Sequence, residues 1–360
     1  MGDITNSTPE TLRWGIIGCG LISSWFVADI VLPRSSAPTK HIVQAVGSSS
    51  KSKAQAFVEK HCPAATPTLY ESYSGVYTDP DVDVVYLGTP HALHYQNALD
   101  AINAGKNVLC EKPLTINAKQ ADALIAAARA KNVFFMEAVW TRFYPLVKKL
   151  GELLHTEKVI GDISRAFIDF GLDMPISKLP PSARTADPAL GAGALLDVGI
   201  YTLTWAAVIF DQHPVQKASG QEPLVASSMS LTGGADDITS VILNYPALHA
   251  HAICTCSMNC RSGPEFARVE GSLGTISVGG PAASKPEYLI VKKKDGQEEK
   301  LEFKFEGWGF FYEQDAIAEC LAKGEKECSV MPLDETSRIM RLMDQIRAAN
   351  GLKYVQDDEF

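Results

Sequence analysis

Polar residues at the end of one apolar run have the types needed for acid–base chemistry. Glu111 and Lys112 follow the apolar residues 108–110 and precede Pro113. Such a run indicates a buried parallel strand, and doubly wound α/β proteins bind their ligands at the carboxyl ends of such strands. We therefore expect Lys112 to lie at a ligand site. A surface lysine at a strand end is the competing interpretation.

A second candidate pair is Asp197 and Tyr201, which lie in the otherwise apolar stretch 191–201. On a helix, side chains four residues apart project from the same face. Because burying a carboxylate without a partner is costly, the pair is predicted to face a polar site, and we expect that site to contain Lys112. A helix cap or a solvated helix face is the alternative interpretation.

A glycine turn near the start of the chain has the pattern of a dinucleotide site. The strand-like residues 13–17 run into Gly18-Cys19-Gly20-Leu21-Ile22-Ser23, and a helix-like segment follows over 24–32. Gly18 permits a tight turn, and Gly20 lets the backbone approach a pyrophosphate that faces the amides of the helix N-terminus. Ser23 replaces the third glycine of this pattern, which we expect to loosen helix packing slightly. Cofactor contacts are predicted for Gly18, Gly20, Leu21 and Ile22.

The residues after the next strand, 41–47, indicate which dinucleotide binds. An NAD site normally places Asp or Glu here to bond the ribose 2′-hydroxyl, whereas residues 48–53 read Ser-Ser-Ser-Lys-Ser-Lys and no carboxylate occurs before Glu59. Hydroxyls, backbone amides and a lysine suit a 2′-phosphate. We therefore predict NADP, with a plain solvated turn as the alternative. The predicted contacts are Ser48, Ser49, Ser50 and Lys53.

Further candidate contacts follow other predicted strands. The strand-like run 82–88 ends in Thr89-Pro90-His91, and His94 follows shortly after. Cofactor contacts are predicted for Thr89, Pro90, His94, Glu111 and Lys112. Substrate contacts are predicted for His91, Trp140, Arg142, Asp197 and Tyr201, against ordinary packing or surface roles for the first three. His91 is also an alternative catalytic base, and no metal site is predicted.

The elements that position these residues form two patterns. Strands and helices alternate up to residue 140, with a helix from 93 that closes at Gly105, a helix over 118–131 and a strand over 133–136, which predicts a parallel sheet with right-handed crossovers. Beyond residue 140, strand-like runs follow one another with short turns, which predicts an antiparallel sheet with one packed face and one free face. Those runs are 163–172, 224–231, 239–245, 249–258, 266–270, 275–278, 288–292 and 301–305. Helices are predicted over 145–155, 194–210, 311–321 and 334–348.

Three motifs in order, Gly18-x-Gly20, Glu111-Lys112-Pro113 and Asp197-x-x-x-Tyr201, resemble the glucose-fructose oxidoreductase, inositol dehydrogenase and rhizopine-catabolism family. The resemblance covers nearly the whole chain, and the stretches 136–143 and 195–201 look like its branch of dimeric dihydrodiol dehydrogenases and fungal NADP-dependent D-xylose dehydrogenases. It implies an α/β plus α+β fold: a flexible tail over 1–11, a Rossmann NADP-binding domain over 12–140, and a substrate-binding and dimerisation domain over 141–360 with a large, open, mostly antiparallel sheet.

The resemblance also implies that Lys112 and Tyr201 are the catalytic pair. Lys53 falls on the basic position near the 2′-phosphate, and Ser49 stands where the branch has a second basic residue. A free tyrosine, with a pKa near ~10, is a poor base at neutral pH, but a neighbouring ammonium favours the phenolate. Asp197 would orient the lysine or a sugar hydroxyl.

The predicted activity is NADP-dependent oxidation of the C1 hydroxyl of D-xylose, and possibly of other aldoses, to the aldonolactone. A trans-1,2-dihydrobenzene-1,2-diol dehydrogenase and a non-catalytic NADP-sensing regulator are the alternatives. The regulator is disfavoured because the chain retains Glu111, Lys112, Asp197 and Tyr201.

Composition narrows the class of protein. The 360 residues suggest two domains, and a net charge of -9 argues against nucleic acid or an anionic membrane as partner. We expect no apolar run to reach the roughly 18 residues of a membrane span. Eight cysteines without a C-x-x-C spacing predict buried, reduced thiols and hence a cytoplasmic protein. The apolar meander predicts a homodimer through the C-terminal sheet.

Overall fold

The computed structural model describes residues 10–35 and 37–359, which fall into two compact units. One unit holds the described residues up to Trp140 and Glu306–Met340, and the other holds Thr141–Phe305 and Arg341–Glu359. Most of the predicted tail lies outside the described residues, and Thr11 already belongs to the first strand. The domain boundaries at 12–140 and 141–360 stay a prediction. The sequence did not suggest that residues 306–340 would pack with the first unit.

The first unit is built on a parallel sheet with the strand order β3-β2-β1-β4-β5-β6. Its strands are β1 (Thr11–Ile17), β2 (Lys40–Gly47), β3 (Thr68–Tyr70), β4 (Val84–Leu87), β5 (Asn107–Glu111) and β6 (Phe135–Ala138). This is the order of a Rossmann fold, in which the chain reverses direction across the sheet between β1 and β4 and leaves a crevice for the ligand there. The predicted Rossmann architecture is confirmed.

The helices before β6 in this unit begin either with or without a side-chain cap. They are α1 (Leu21–Ile30), α2 (Lys51–His61), α3 (Tyr73–Thr78), α4 (His91–Asn103) and α5 (Ala118–Lys131). The side chain of Asn117 accepts the N–H of Gln120 at the start of α5, and Gly105 beyond α4 has φ +79. The predicted helix over 118–131 is confirmed, whereas α2 and α3 were missed because serine and glycine residues resembled turns.

The second unit contains a mixed, mostly antiparallel sheet with the order β14-β13-β12-β11-β7-β10-β9-β8. Its strands are β7 (Ile163–Gly171), β8 (Leu224–Thr232), β9 (Ala235–Tyr245), β10 (Ala250–Ser257), β11 (Glu265–Gly271), β12 (Gly274–Gly279), β13 (Tyr288–Lys293) and β14 (Glu298–Glu302). Only the central pair of β7 and β10 runs parallel in the described part of this sheet. The predicted antiparallel-rich sheet is confirmed.

A buried helical segment packs against β7 and β10. It comprises a π-helical turn (Leu195–Gly199), α7 (Ile200–Ala206) and a second π-helical turn (Ala207–Asp211). By length and composition alone, Pro188–Asp211 could cross a membrane, so the expectation that no segment of this kind occurs is wrong. Its most apolar window is entirely buried inside the fold, as a core helix would be. The other helices of this unit are α6 (Pro145–Gly151) and α8 (Pro214–Ser219).

The last two helices are α9 (Phe311–Ala322) and α10 (Leu333–Ala349). The start of α9 is tied to the first unit by Asp29 of α1, whose carboxylate accepts the N–H groups of Trp308, Gly309 and Phe310 at 2.7–2.9 Å. Trp308 also stacks on Trp25 of α1 with ring centroids 4.3 Å apart. These contacts explain why the segment returns to the N-terminal sheet. The eight cysteines are unbridged thiols, and Cys260 is exposed, contrary to the prediction of burial.

Candidate active site

The glycine turn between β1 and α1 leaves room for a ligand at one glycine only. Gly18 has φ +88, and a Cβ there would lie 2.9 Å from the carbonyl oxygen of Gly88. A Cβ on Gly20 would meet nothing closer than the same oxygen at 3.9 Å. No side chain caps the start of α1 at Gly20, where Leu21 is 67% exposed. A phosphate can therefore approach Gly20 and the first amides of α1.

Ser23 does not loosen the packing of α1, contrary to expectation. The residue is fully buried, and a Cβ on Gly88 would lie 2.2 Å from its Oγ atom. The usual pattern uses a third glycine on the helix to let helix and strand approach closely. Here a glycine after β4, Gly88, makes this close approach possible. Sequence reasoning missed this exchange because the two residues are distant along the chain.

The serines after β2 form a polar cluster with Lys53. The ammonium of Lys53 donates to Ser49 Oγ at 3.2 Å, and its backbone N–H donates to Ser50 Oγ, the cap of α2, at 3.3 Å. Ser48 is buried and bonds the thiol of Cys19 in the glycine turn. Burial raises the pKa of Cys19, although Ser48 and the charge of Lys53 both lower it. Hydroxyls and one cation beside the glycine turn fit the 2′-phosphate side of NADP.

The turn that carries Lys112 is framed by buried carboxylates. Glu111 accepts the hydroxyl of Tyr86 at 2.9 Å through Oε1 and the backbone N–H of Lys112 at 3.2 Å through Oε2. Glu137 accepts the N–H of Leu114 at 2.8 Å. Burial raises the pKa of the Tyr86 hydroxyl, and the charge of Glu111 raises it further. Both oxygens of Glu111 thus bond the protein and hold the turn in place, and its contact with the cofactor stays a prediction.

The Thr89-Pro90-His91 stretch leads from β4 into α4. Pro90 immediately precedes α4 and His91 is its first residue, buried with its ring 5.8 Å from that of His94. The two ring nitrogens of His94 lie 2.9 Å from the carbonyl oxygen of Pro113 and 2.8 Å from that of Thr89. Backbone carbonyl groups face both nitrogens of this fully buried ring, and the contact of His94 with the cofactor stays a prediction.

Trp140 has an aromatic partner that the sequence did not reveal. Its ring stacks on Phe310, just before α9, with centroids 4.3 Å apart. No local pattern links these residues, because Phe310 returns to the first unit from the distant segment 306–340. Arg142 follows in the 3-10 turn Trp140–Phe143 and is buried.

Asp197 and Tyr201 lie in the second unit on the buried helical segment. Tyr201 is 4% exposed, and its ring lies 5.5 Å from that of Phe170 on β7. Asp197 sits in the first π-helical turn and accepts a bond from Arg184 Nη2 at 3.2 Å. The pair is therefore not a solvated helix face. Arg184 was missed because it belongs to an irregular loop without a periodic pattern.

The start of this helical segment is fixed by Asp236 at the beginning of β9. Its Oδ2 accepts the N–H of Leu195 at 2.8 Å and the hydroxyl of Thr239 at 2.6 Å. Gly193 has φ +132, and a Cβ there would lie 2.2 Å from Asp236 Oδ1. Tyr354, close to the C-terminus, donates its hydroxyl to the carbonyl of Ala192 at 2.5 Å.

The candidate residues are found in both units. The glycine turn, the serine cluster and Lys112 belong to the first, and Asp197 with Tyr201 belongs to the second. The pairing of Lys112 with Tyr201 stays a prediction. Within residues 10–35 and 37–359, no group of three or more His, Cys, Asp or Glu residues is placed to hold a metal ion.

Comparison with protein families finds one match in each of the two units. Residues 12–139 match the GFO/IDH/MocA oxidoreductase family with an NAD-binding Rossmann fold, and residues 147–277 match the GFO/IDH/MocA C-terminal domain. The chain is 35% identical to D-xylose 1-dehydrogenase (NADP(+)) of Hypocrea jecorina, over 98% of this chain and 95% of that protein. It is 37% identical to trans-1,2-dihydrobenzene-1,2-diol dehydrogenase of Bos taurus, over 96% of this chain and 99% of that protein.

Solved structures share the fold at lower identity. A 3-ketoreductase from Actinomadura kijaniata, crystallised with NADP and TDP-benzene, is 24% identical with a TM-score of 0.78, over 94% of this chain and 98% of that one. An aldose-aldose oxidoreductase from Caulobacter crescentus is 24% identical with a TM-score of 0.77, over 94% and 97%.

Proposed function

The chain belongs to the GFO/IDH/MocA family of oxidoreductases and is an NAD(P)-dependent enzyme, and from this premise we propose that it oxidises the C1 hydroxyl of D-xylose with NADP to the aldonolactone. The observation that carries the choice of NADP is the Lys53 ammonium bonded to Ser49 beside the glycine turn, with no carboxylate in the cluster. The choice of sugar is supported by the fungal D-xylose dehydrogenase. Other aldoses are further candidate substrates.

Each candidate residue has one task in this proposal. Bound NADP would supply the hydride acceptor, and Gly20, Ser49 and Lys53 would hold it. Tyr201 takes the hydroxyl proton, and Lys112, on its Glu111-framed turn, favours the phenolate by its charge. Asp197 orients a sugar hydroxyl or the lysine, and its bond from Arg184 directs the carboxylate. His91, Trp140 and Arg142 line the substrate pocket.

The activity is tested by following nicotinamide absorbance with purified protein, NADP and D-xylose. Turnover of the pentose supports the proposal, and inactivity towards every aldopentose would sink it. Lys112→Met is expected to abolish turnover while NADP binding, measured by calorimetry, persists. Retained turnover in this variant would remove Lys112 from the chemistry.

The preference for NADP is tested at Lys53. Lys53→Glu should weaken NADP binding strongly, because a carboxylate repels the 2′-phosphate, and should affect NAD far less. Lys51→Glu is the matched control, since Lys51 is an exposed lysine at the start of the same helix α2. Equal losses for the two variants would show that overall charge, rather than a 2′-phosphate contact, sets the affinity.

A second candidate function is oxidation of trans-1,2-dihydrobenzene-1,2-diol. It is favoured by the vertebrate relatives of that name, which are as similar to the chain as the fungal enzyme, at 37% and 36% identity for Bos taurus and Homo sapiens. The ratio of kcat/KM for D-xylose and for the benzene dihydrodiol decides between them.

We propose a homodimer through the outer face of the C-terminal sheet. Apolar side chains of β8 and β9 stand exposed there: Leu224, Leu231, Ile238 and Ile242. A groove of about 290 Å³ on the sheet is lined by Phe167, Ile253 and Arg268 among others. Exposed apolar side chains on the face of a sheet support an interaction site there. Light scattering should give a dimer for the wild type and a monomer for Ile242→Lys, and a wild-type monomer would overturn the assignment.

Location in the cytoplasm stays a prediction. It agrees with eight cysteines that form no disulfide. Imaging of a fluorescent fusion in the source cells tests it.

A further inference from the structure

His94 occupies an unusual electrostatic position for a buried histidine. It is 0% exposed on α4, and its ring lies between two backbone carbonyl groups. Nδ1 is 2.9 Å from the oxygen of Pro113, and Nε2 is 2.8 Å from the oxygen of Thr89. One carbonyl belongs to the residue directly after Lys112, and the other belongs to the loop after β4. The ring therefore bridges two loops that carry candidate site residues.

The protonation state decides how many of these contacts are hydrogen bonds. A neutral imidazole has one N–H donor and one bare nitrogen, whereas an imidazolium has two donors. Between two carbonyl oxygens, a neutral ring can bond one of them only, and its bare nitrogen then faces the lone pairs of the other. Only the protonated ring satisfies both contacts.

His41 provides the opposite case in the same unit. Trp14 Nε1 donates to His41 Nδ1 at 3.0 Å, so that nitrogen must carry a lone pair. The other nitrogen then carries the hydrogen and donates to Asp315 Oδ1 at 2.9 Å. The neighbours of His41 thus include one donor and one acceptor, whereas those of His94 are both acceptors.

We propose that His94 is a positioning residue that clamps the Lys112 turn to the Thr89 loop, bonding both carbonyls when protonated and one when neutral. The consequence for turnover rests on the proposed role of Lys112. Loss of the proton turns one contact into a repulsion between lone pairs. His94 then bonds only one of the two loops and no longer clamps the Lys112 turn to the Thr89 loop.

The surroundings of His94 favour the neutral ring, so we expect the ring to gain its second proton only at acid pH. Burial lowers its pKa, and the charge of Lys112 lowers it further, although the carbonyl groups of Pro113, Thr89 and Leu114 raise it. The net direction is below the usual value near ~6.5. The titratable groups that face the ring are Lys112, from the turn after β5, and His91, from its own helix.

The direct test is a pH titration of the full-length protein labelled with ¹⁵N-histidine, followed by NMR. His94, assigned by the signal lost in His94→Gln, is expected to pass from one protonated nitrogen to two as the pH falls. The proposal is overturned if one His94 nitrogen stays unprotonated throughout the range in which the protein is folded. This measurement needs no substrate, so it stands even if the proposed reaction fails.

The functional test compares kcat for the wild type and His94→Gln, which can donate to one carbonyl at most. The wild type should be faster by about ten- to a hundredfold at acid pH, because small misplacements of reacting groups carry losses of this size. The advantage should shrink through the pKa measured by NMR. A ratio that does not change with pH would indicate a merely structural role and overturn the clamp. His251→Gln, an exposed histidine on β10, is the control and should follow the wild type.

Discussion

Asp236 accepts the backbone N–H of Leu195 at 2.8 Å, so the helical segment that carries Asp197 and Tyr201 starts on a buried carboxylate. A negative charge suits this position because the first amides of a helix lack partners and carry partial positive charge. The other oxygen, Oδ1, has no hydrogen-bond partner among the described residues and packs on Gly193. Burial raises the pKa of Asp236, while the bonds from Thr239 and Leu195 lower it.

Asp236→Asn should therefore reduce both stability and turnover. If the amide oxygen replaces Oδ2, the new NH₂ group is buried against Gly193 without an acceptor, at a cost of about 1–3 kcal/mol. A lower kcat with an unchanged Kd for NADP is expected, because the predicted NADP contacts lie in the other unit. Denaturant titration and calorimetry measure the two effects. Asp237→Asn, at the half-exposed neighbour that bonds Thr232, is the matched control; equal losses in both variants would refute a special role for Asp236.

The two glycines of the first turn should respond differently to alanine. Gly20→Ala is expected to keep the melting temperature, since its Cβ meets nothing within 3.4 Å, yet to weaken NADP binding at least about tenfold, or ~1.4 kcal/mol, by occupying the space of the phosphate. Gly18→Ala should lower the melting temperature as well, because its φ of +88 strains a side chain. Thermal melts and NADP titrations separate them, and full NADP affinity in Gly20→Ala would place the pyrophosphate elsewhere.

The contact between Ser23 and Gly88 can be tested with a double-mutant cycle. Gly88→Ala alone should cost about 1–3 kcal/mol of unfolding free energy, since its Cβ would lie 2.2 Å from Ser23 Oγ. Adding Ser23→Gly should restore part of that loss. Recovery should be incomplete, because Tyr86 Cε1 also lies 2.9 Å from the new Cβ. Strictly additive losses would show that the two positions do not interact.

Glu313 on α9 should make stability fall as the pH rises. Its side chain is fully buried, and neither carboxylate oxygen has a hydrogen-bond partner in the described part of the chain. Burial raises the pKa of Glu313 well above its usual value, and the charges of Glu111, Cys328 and Asp29 raise it further. Above the usual pKa the unfolded chain releases this proton while the folded protein retains it, so the unfolding free energy decreases with pH.

Glu313→Gln should flatten that dependence, and the difference in slope should approach one proton, about 1.4 kcal/mol per pH unit. Urea titrations between neutral and mildly acidic pH measure it. The control is Glu319→Gln on the same helix, since Glu319 is exposed and pairs with Lys323. Parallel curves for the wild type and Glu313→Gln would mean that Glu313 is already ionised in the folded protein.

Elements with a local signal were predictable to within a few residues. The helix over 118–131 is correct because Asn117 caps it and apolar residues recur along one face. The helix α2 was missed because Ser48 to Ser52 resemble a turn, although Ser50 is in fact its N-cap. The surroundings of His94 could not be predicted for a different reason, since its partner Pro113 belongs to another segment of the chain.

By itself, the sequence determined the glycine turn, the turn of Lys112 and the helix of Asp197 and Tyr201, because each depends on neighbours within a few residues. Only the tertiary structure decided what holds them. Leu195 meets Asp236 across 41 positions, and Asp29 meets Trp308 across 279. A buried polar group must find a partner wherever the fold brings one, and no local pattern specifies which distant residue that will be.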